Sequence, residues 1–147
     1  MDRDLLAAGL RGYAGGHHAF ALEPVDAVAG MEMMDQPAIL AVEPGVRVLR
    51  DPTRGGLSSA LNEIAATSGV GMVLDEAAIP IPGPVRAACE MLGLDPYHVA
   101  NEGKLVAIVP AESTEAVLAA MRALPEGLGA ARIGAVTADH PGMVTIR

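Results

Sequence analysis

From position 46 onward, short apolar runs alternate with apolar stripes at helical spacing, and glycine or proline separates them. Residues 46–49 read as a strand that leads into the polar segment Arg50-Asp51-Pro52-Thr53-Arg54-Gly55-Gly56. Leu57, Ala60, Leu61, Ile64 and Ala65 then share one face of a helix, and Gly69 is placed to stop it. Asp51 with Pro52 can supply the cap and first position, although the paired glycines can postpone the start. Residues 70–74 form the next strand. Pro82 and Pro84 introduce a second helix with a stripe of Val85, Ala88, Cys89 and Leu92, ended by Gly93.

The run 105–109 is apolar throughout and predicts a strand buried on both faces. A third helix is expected over 112–124, with Glu112 and Glu115 in the first turn, where a carboxylate suits the helix dipole. Strands at 132–137 and 143–146 close the chain, and Pro141-Gly142 suits the centre of a type II turn, so a hairpin is expected there. The alternation predicts an α/β or α+β domain with helices packed on a mixed β-sheet. Residues 1–45 differ: glycines cluster at 12, 15 and 16, methionine at 31, 33 and 34, and only residues 4–10 suggest a helix. This stretch reads as an amino-terminal arm ahead of a domain spanning 46–147.

The chain has 147 residues, 51% of them hydrophobic, with a mean hydropathy of +0.35, which fits one domain with its own core. Trp is absent and there are one Phe and two Tyr, so the core is aliphatic and lacks stacking platforms for single-stranded nucleic acid. A net charge of −8 also disfavours a phosphate-backbone partner. The single cysteine, Cys89, excludes an intramolecular disulfide and fits a reducing compartment. Neither a leader peptide nor a membrane span is legible, so a soluble, cytoplasmic protein is expected.

Polar chemistry concentrates in two places. At Asp51-Pro52-Thr53-Arg54-Gly55-Gly56 an Asp and flanking Arg side chains meet paired glycines before a helix, which suits an anion or nucleotide phosphate. A capped turn between strand and helix explains the same residues equally well. At Asn101-Glu102-Gly103-Lys104, polar side chains stand beside the most apolar strand. Glu102 is a candidate general acid or base, and Lys104, the only lysine, can lower its pKa or pair with an acidic or phosphorylated ligand. The plainer reading is a solvated loop with a lysine at a strand edge.

Other motifs are absent or weak. Gly103-Lys104 lacks the earlier glycine and the following Ser or Thr of a phosphate-binding loop, and Gly69-Val70-Gly71 lacks the third glycine of a dinucleotide fingerprint. His17 and His18 point to different faces in regular structure, and no further ligand stands at metal-binding spacing. His98 and His140 fall in expected turns. Cys89 reads as a buried core thiol.

Together, Arg50-Asp51-Pro52-Thr53-Arg54-Gly55-Gly56-Leu57, Leu61-Asn62-Glu63-Ile64-Ala65, Ser68-Gly69-Val70-Gly71 and Val99-Ala100-Asn101-Glu102-Gly103-Lys104-Leu105-Val106 closely resemble the HypE family of hydrogenase expression/formation proteins. That family lies in the aminoimidazole ribonucleotide synthetase superfamily, and the resemblance spans roughly residues 46–147. It implies a two-domain enzyme using ATP and magnesium to dehydrate a carboxamide on the sulfur of its own terminal cysteine, giving a thiocyanate. That group becomes cyanide on the iron of nickel–iron hydrogenases. Glu102 is then the acid/base with Asn101 beside it, while Asp51, Thr53, Arg54, Gly55 and Gly56 help line the nucleotide-facing cleft.

The resemblance also implies that the chain begins near the family's second domain. The first domain, with most ATP contacts and the dimer barrel, and the tail bearing the modified cysteine are then not in this sequence. Cys89 lies within an expected helix and cannot replace that cysteine. The chain alone is therefore expected to be inactive and to bind ATP weakly. Its partners would be other hydrogenase maturation proteins, including the carbamoyltransferase, and a homodimer is compatible. The alternative is a non-catalytic module that binds those proteins. A superfamily member acting on another phosphorylated intermediate fits the 51–56 motif less well.

Overall fold

The computed structural model describes residues 27–32 and 46–147. Among these, the strands are β1 (Ala27–Glu32), β2 (Val48–Arg50), β3 (Gly71–Leu74), β4 (Lys104–Val109), β5 (Ala131–Thr137) and β6 (Val144–Ile146). The helices are α1 (Gly56–Ser68), α2 (Gly83–Leu92) and α3 (Thr114–Arg122). One six-stranded sheet runs β2-β4-β1-β5-β3-β6, antiparallel at every pair except β3 with β6, which is parallel. Helices on a mixed sheet are what the alternating pattern predicts.

The apolar run of β4 is buried on both faces because each face meets a separate core. Val106 and Ile108 pack with Leu61 and Ala65 of α1, Met72 and Leu74 of β3, and Ile133 and Val136 of β5. Leu105, Ala107 and Val109 pack on the other side with Val117, Leu118 and Met121 of α3. Alternating side chains along a strand point to opposite faces, so a strand between two helix layers must be apolar at every position.

Several elements differ from the sequence expectations. Ala27–Glu32, inside the stretch read as an arm, forms a strand paired with β4 on one edge and β5 on the other. Its sequence, Ala-Val-Ala-Gly-Met-Glu, has neither alternation nor a β-branched run, so only its two neighbours make it a strand. The other features noted in residues 1–45, including the helical candidate at 4–10, His17 and His18, lie outside the described residues. The third helix begins at Thr114, after a 3-10 turn over Ala111–Ser113, which leaves Glu112 ahead of it and Glu115 in its first turn.

The expected hairpin is not formed. The Pro141-Gly142 turn is present, with Gly142 at φ 79° and a hydrogen bond from Met143 N–H to the His140 carbonyl of 3.1 Å. Yet β3 lies between β5 and β6, because the 139–140 backbone crosses over Gly71 and brings β6 alongside β3. Gly142 N–H donates to the Val70 carbonyl at 2.8 Å and Met72 N–H to the Met143 carbonyl at 2.9 Å. A Cβ at Gly71 would collide with the Asp139 carbonyl. Adjacency in sequence suggested pairing, and a close approach that needs glycine decided against it.

The paired glycines do postpone α1, whose N-cap is Gly55 in the left-handed region with no side-chain cap. Gly56, buried and at φ 63°, lies under the 97–99 backbone: a Cβ there would stand 2.5 Å from both the Tyr97 and Val99 carbonyl oxygens. Ser58 N–H donates to that Tyr97 carbonyl at 2.9 Å, tying the segment down. The Tyr97 phenol reaches Glu76 Oε1 at 3.4 Å, and burial, with the Glu76 charge second, raises its pKa above the ordinary value. α2 behaves differently, since only Cys89 of it is buried while Val85 and Leu92 are 44% and 70% exposed. Of the expected stripe, Cys89 is thus a buried thiol as predicted, while Val85, Ala88 and Leu92 face outward.

Two glycine substitutions separate conformation from contact. Gly69 has φ 67° and nothing within 4 Å of its virtual Cβ, so Gly69→Ala should cost about 1 kcal/mol for the left-handed backbone alone. Gly56→Ala adds a clash with two carbonyls and should cost roughly 2 kcal/mol more in urea unfolding. Equal losses at the two sites would refute the 97–99 contact. Tyr97 should ionise above the ordinary value of about 10 when tyrosinate absorbance is followed in a Tyr13→Phe background. Its folded pKa is raised, so this contribution to stability is full below the unfolded value and is lost as pH rises through the folded one. Glu76→Gln should lower the midpoint part of the way.

Candidate functional site

Strand pairing brings the two polar segments together. β2 and β4 are antiparallel, with Arg50 opposite Val106, so the end of β2 and the start of β4 lie at the same edge of the sheet. The loop leaving β2 and the turn entering β4 must then meet, and Asn101 N–H donates to the Pro52 carbonyl at 3.1 Å. Gly103, at φ 77°, allows the tight turn between Asn101 and β4. Arg50 Nη2 contacts Glu63 Oε2 at 2.7 Å, linking β2 to α1, but both side chains are well exposed and such pairs contribute about 0–1 kcal/mol.

Beside this junction is a cleft of about 420 Å³. Asn101 and Lys104 line it, both half-buried, together with Pro52, Leu57, Tyr97 and Val99. Of the residues singled out from the sequence as site candidates, Asn101 and Lys104 reach the lining. Thr53 and Gly55 are half-buried and Gly56 is buried, but none of them lines the cleft. Asp51, Arg54 and Glu102 are exposed. Glu102 stands on the turn beside Asn101, outside the lining.

The start of α1 offers an anion less than the sequence suggests. Gly56 N–H donates to the Thr53 carbonyl at 3.2 Å, Ser58 N–H to Tyr97 and Ser59 N–H to the Gly55 carbonyl at 3.1 Å. Those groups are occupied by protein oxygens. The polar residues lining the cleft are instead Asn101 in the turn before β4, Lys104 at its first position and Glu126, and its apolar walls join loops around Pro80, Pro82 and Pro96 to Leu57, Val106 and Ile133 of the regular elements. Those prolines were the only sequence signal for the loop-borne part of the walls, and proline marks loops without saying which side of the sheet they cover.

His98 Nδ1 lies 3.1 Å from Asp95 Oδ2 on the surface, and His140 occupies the 140–143 turn at φ 52°. No group of three His, Cys, Asp or Glu among the described residues is placed to hold a metal. No described helix is long and apolar enough to cross a membrane.

Comparison with known proteins accords with this geometry. The family described as AIR synthase related protein, C-terminal domain, matches residues 8–147, so the likeness reaches back past position 46 and includes β1. The chain is 65% identical over 109 residues to the carbamoyl dehydratase HypE of Cupriavidus necator, covering 74% of this chain and 31% of that protein. A crystal structure of HypE in complex with ATP superposes with TM-score 0.77 at 35% identity, over 88% of this chain and 49% of that one. A HypE–HypF complex gives TM-score 0.78 at 30% identity, over 88% and 51%. The chain thus spans about a third of the length of its curated relative. From the family match and the HypE likeness together, the chain belongs to the AIR synthase related proteins, as a carboxy-terminal domain of the HypE type.

Proposed function

We propose that this chain acts as the carboxy-terminal part of a HypE-type carbamoyl dehydratase in hydrogenase maturation. The reaction is the ATP-dependent dehydration of a cysteine S-carboxamide to a thiocyanate, the source of a cyanide ligand. The observation that carries this reading is the Asn101–Pro52 hydrogen bond, which joins the two family motifs beside one cleft. ATP, when bound, supplies a phosphoryl group that turns the amide oxygen into a leaving group. Two N–H protons must leave, one as the oxygen is phosphorylated and one as phosphate departs; Glu102 takes each in turn, releasing the first to solvent, and Asn101, beside it, orients the amide. Asp51, Thr53, Arg54, Gly55 and Gly56 stand outside the cleft lining, and in this reading they would meet the nucleotide from beside it.

The residues present fit one end of a nucleotide. Lys104 and Asn101 can meet a phosphate, but the Gly56, Ser58 and Ser59 N–H groups at the start of α1 are occupied and no carboxylate cluster for magnesium exists among the described residues. Most ATP and magnesium contacts, and any homodimer, would then depend on an amino-terminal domain. The single cysteine is buried, which accords with a cytoplasmic location. A second reading, a non-catalytic module for other maturation proteins such as the carbamoyltransferase, draws on the exposed apolar side chains Val85, Met91, Leu92 and Leu94.

Calorimetric titration with ATP and magnesium should give little heat with the chain alone, and binding with turnover once a separately expressed HypE-type amino-terminal domain is added. Neither binding nor turnover in the mixture, with both parts folded, would leave the interaction module as the better account. In the active mixture, Glu102→Gln should lower kcat by about 10²- to 10⁴-fold with little change in KM for ATP. An unchanged kcat would remove Glu102 from the chemistry.

A further inference from the structure

Lys104 is the chain's only lysine. It is half-buried at the first position of β4 and lines the cleft, yet neither of the ion pairs among the described residues involves it. Its backbone pairs in the ladder opposite Glu32 of β1, but its side chain has no hydrogen-bond partner among the described residues either. The Asn101 side chain lines the same cleft, with its amide likewise unpartnered there. Lys104 and Asn101 beside a space of about 420 Å³ that Leu57, Tyr97 and Val99 also line make a concave, mostly apolar site with few polar anchors. That is the usual composition of a small-molecule pocket.

We infer that this cleft binds a small ligand with an anionic head, Lys104 holding the charge and Asn101 donating a hydrogen bond, while an apolar or planar body packs on Leu57, Tyr97 and Val99. The head is a phosphate or a carboxylate, since an ammonium serves either as a point charge. Glu126 also lines the cleft but is exposed, so water screens its repulsion. The bulkier walls reject a bare ion: the apolar surface contributes only if the ligand carries a body to cover it. This inference rests on the cleft assigned under the proposed function, but not on the dehydration chemistry.

The single lysine makes the test specific. The only amines that an acylating reagent such as N-acetoxysuccinimide can modify are Lys104 Nζ and the α-amino group, and the latter serves as an internal reference. 3-Phenylpropyl phosphate, 3-phenylpropionate and the neutral 3-phenyl-1-propanol share a phenylalkyl body and differ at the head. With a probe at about ten times its Kd, acylation of Lys104 should slow about tenfold relative to the α-amino group. At least one anionic probe should do this, and the one that protects identifies the head; the alcohol should leave the rate unchanged. Calorimetry should show binding lost in Lys104→Met, whose melting temperature should match the parent, and kept in Lys104→Arg.

No protection by either anion, or equal protection by the alcohol, would overturn the inference. The measurement uses the chain alone and no ATP. Protection without turnover in the two-domain mixture would therefore sink the dehydratase reading and keep the pocket, and the reverse result would do the opposite.

Discussion

The structure depends on β4 being buried on both faces and paired on both edges. Its backbone groups are satisfied by β1 and β2, and its side chains alternate between a core shared with α1 and one shared with α3. A strand so enclosed has no tolerance for a polar side chain over 105–109, so the polar residues of this region are confined to its first position, Lys104, and the turn before it. That confinement, together with the antiparallel partner β2, is what delivers Asn101 and Lys104 to the same edge as the glycine loop. Pairing, rather than any interaction between the polar groups themselves, assembles the candidate site.

Elements with strong internal periodicity were legible before the structure. α1, with its stripe and terminal Gly69, and β4, with its unbroken apolar run, needed no partner to be recognised. β1 was not legible because Ala27 to Glu32 has no pattern of its own and is a strand only by virtue of two neighbours far along the chain. The β5–β6 pairing was misread for a related reason. The turn at Pro141-Gly142 was correct, but whether the strands it joins touch depends on the backbone passing over Gly71, a tertiary contact that local sequence does not encode.

The site was legible in outline and not in detail. Both motif segments meet as their shared place in a known family suggests, yet Glu102 and Arg54 face solvent, and the glycine loop covers itself with carbonyls. The loop-borne part of the cleft walls was missed because it comes from proline-rich loops with no periodicity. α2 presents the reverse case: of its stripe only Cys89 is buried as expected, while Val85, Ala88 and Leu92 are not packed, since a pattern marks an apolar face without naming what lies against it.

The middle position of β1 bears on how the chain reaches this state. Its partners, Ala27 with Val109 and Ala27 with Ala135, are drawn from the distant end of the sequence. As the chain leaves the ribosome from its amino terminus, β1 emerges with neither neighbour yet made, and the centre of the sheet cannot close until β5 has appeared. Such long-range pairing slows folding and leaves unpaired edges open to other chains in the meantime. The order of strands in the sheet thus makes this domain a late-closing one, whose yield during synthesis depends on keeping its first strand from premature company.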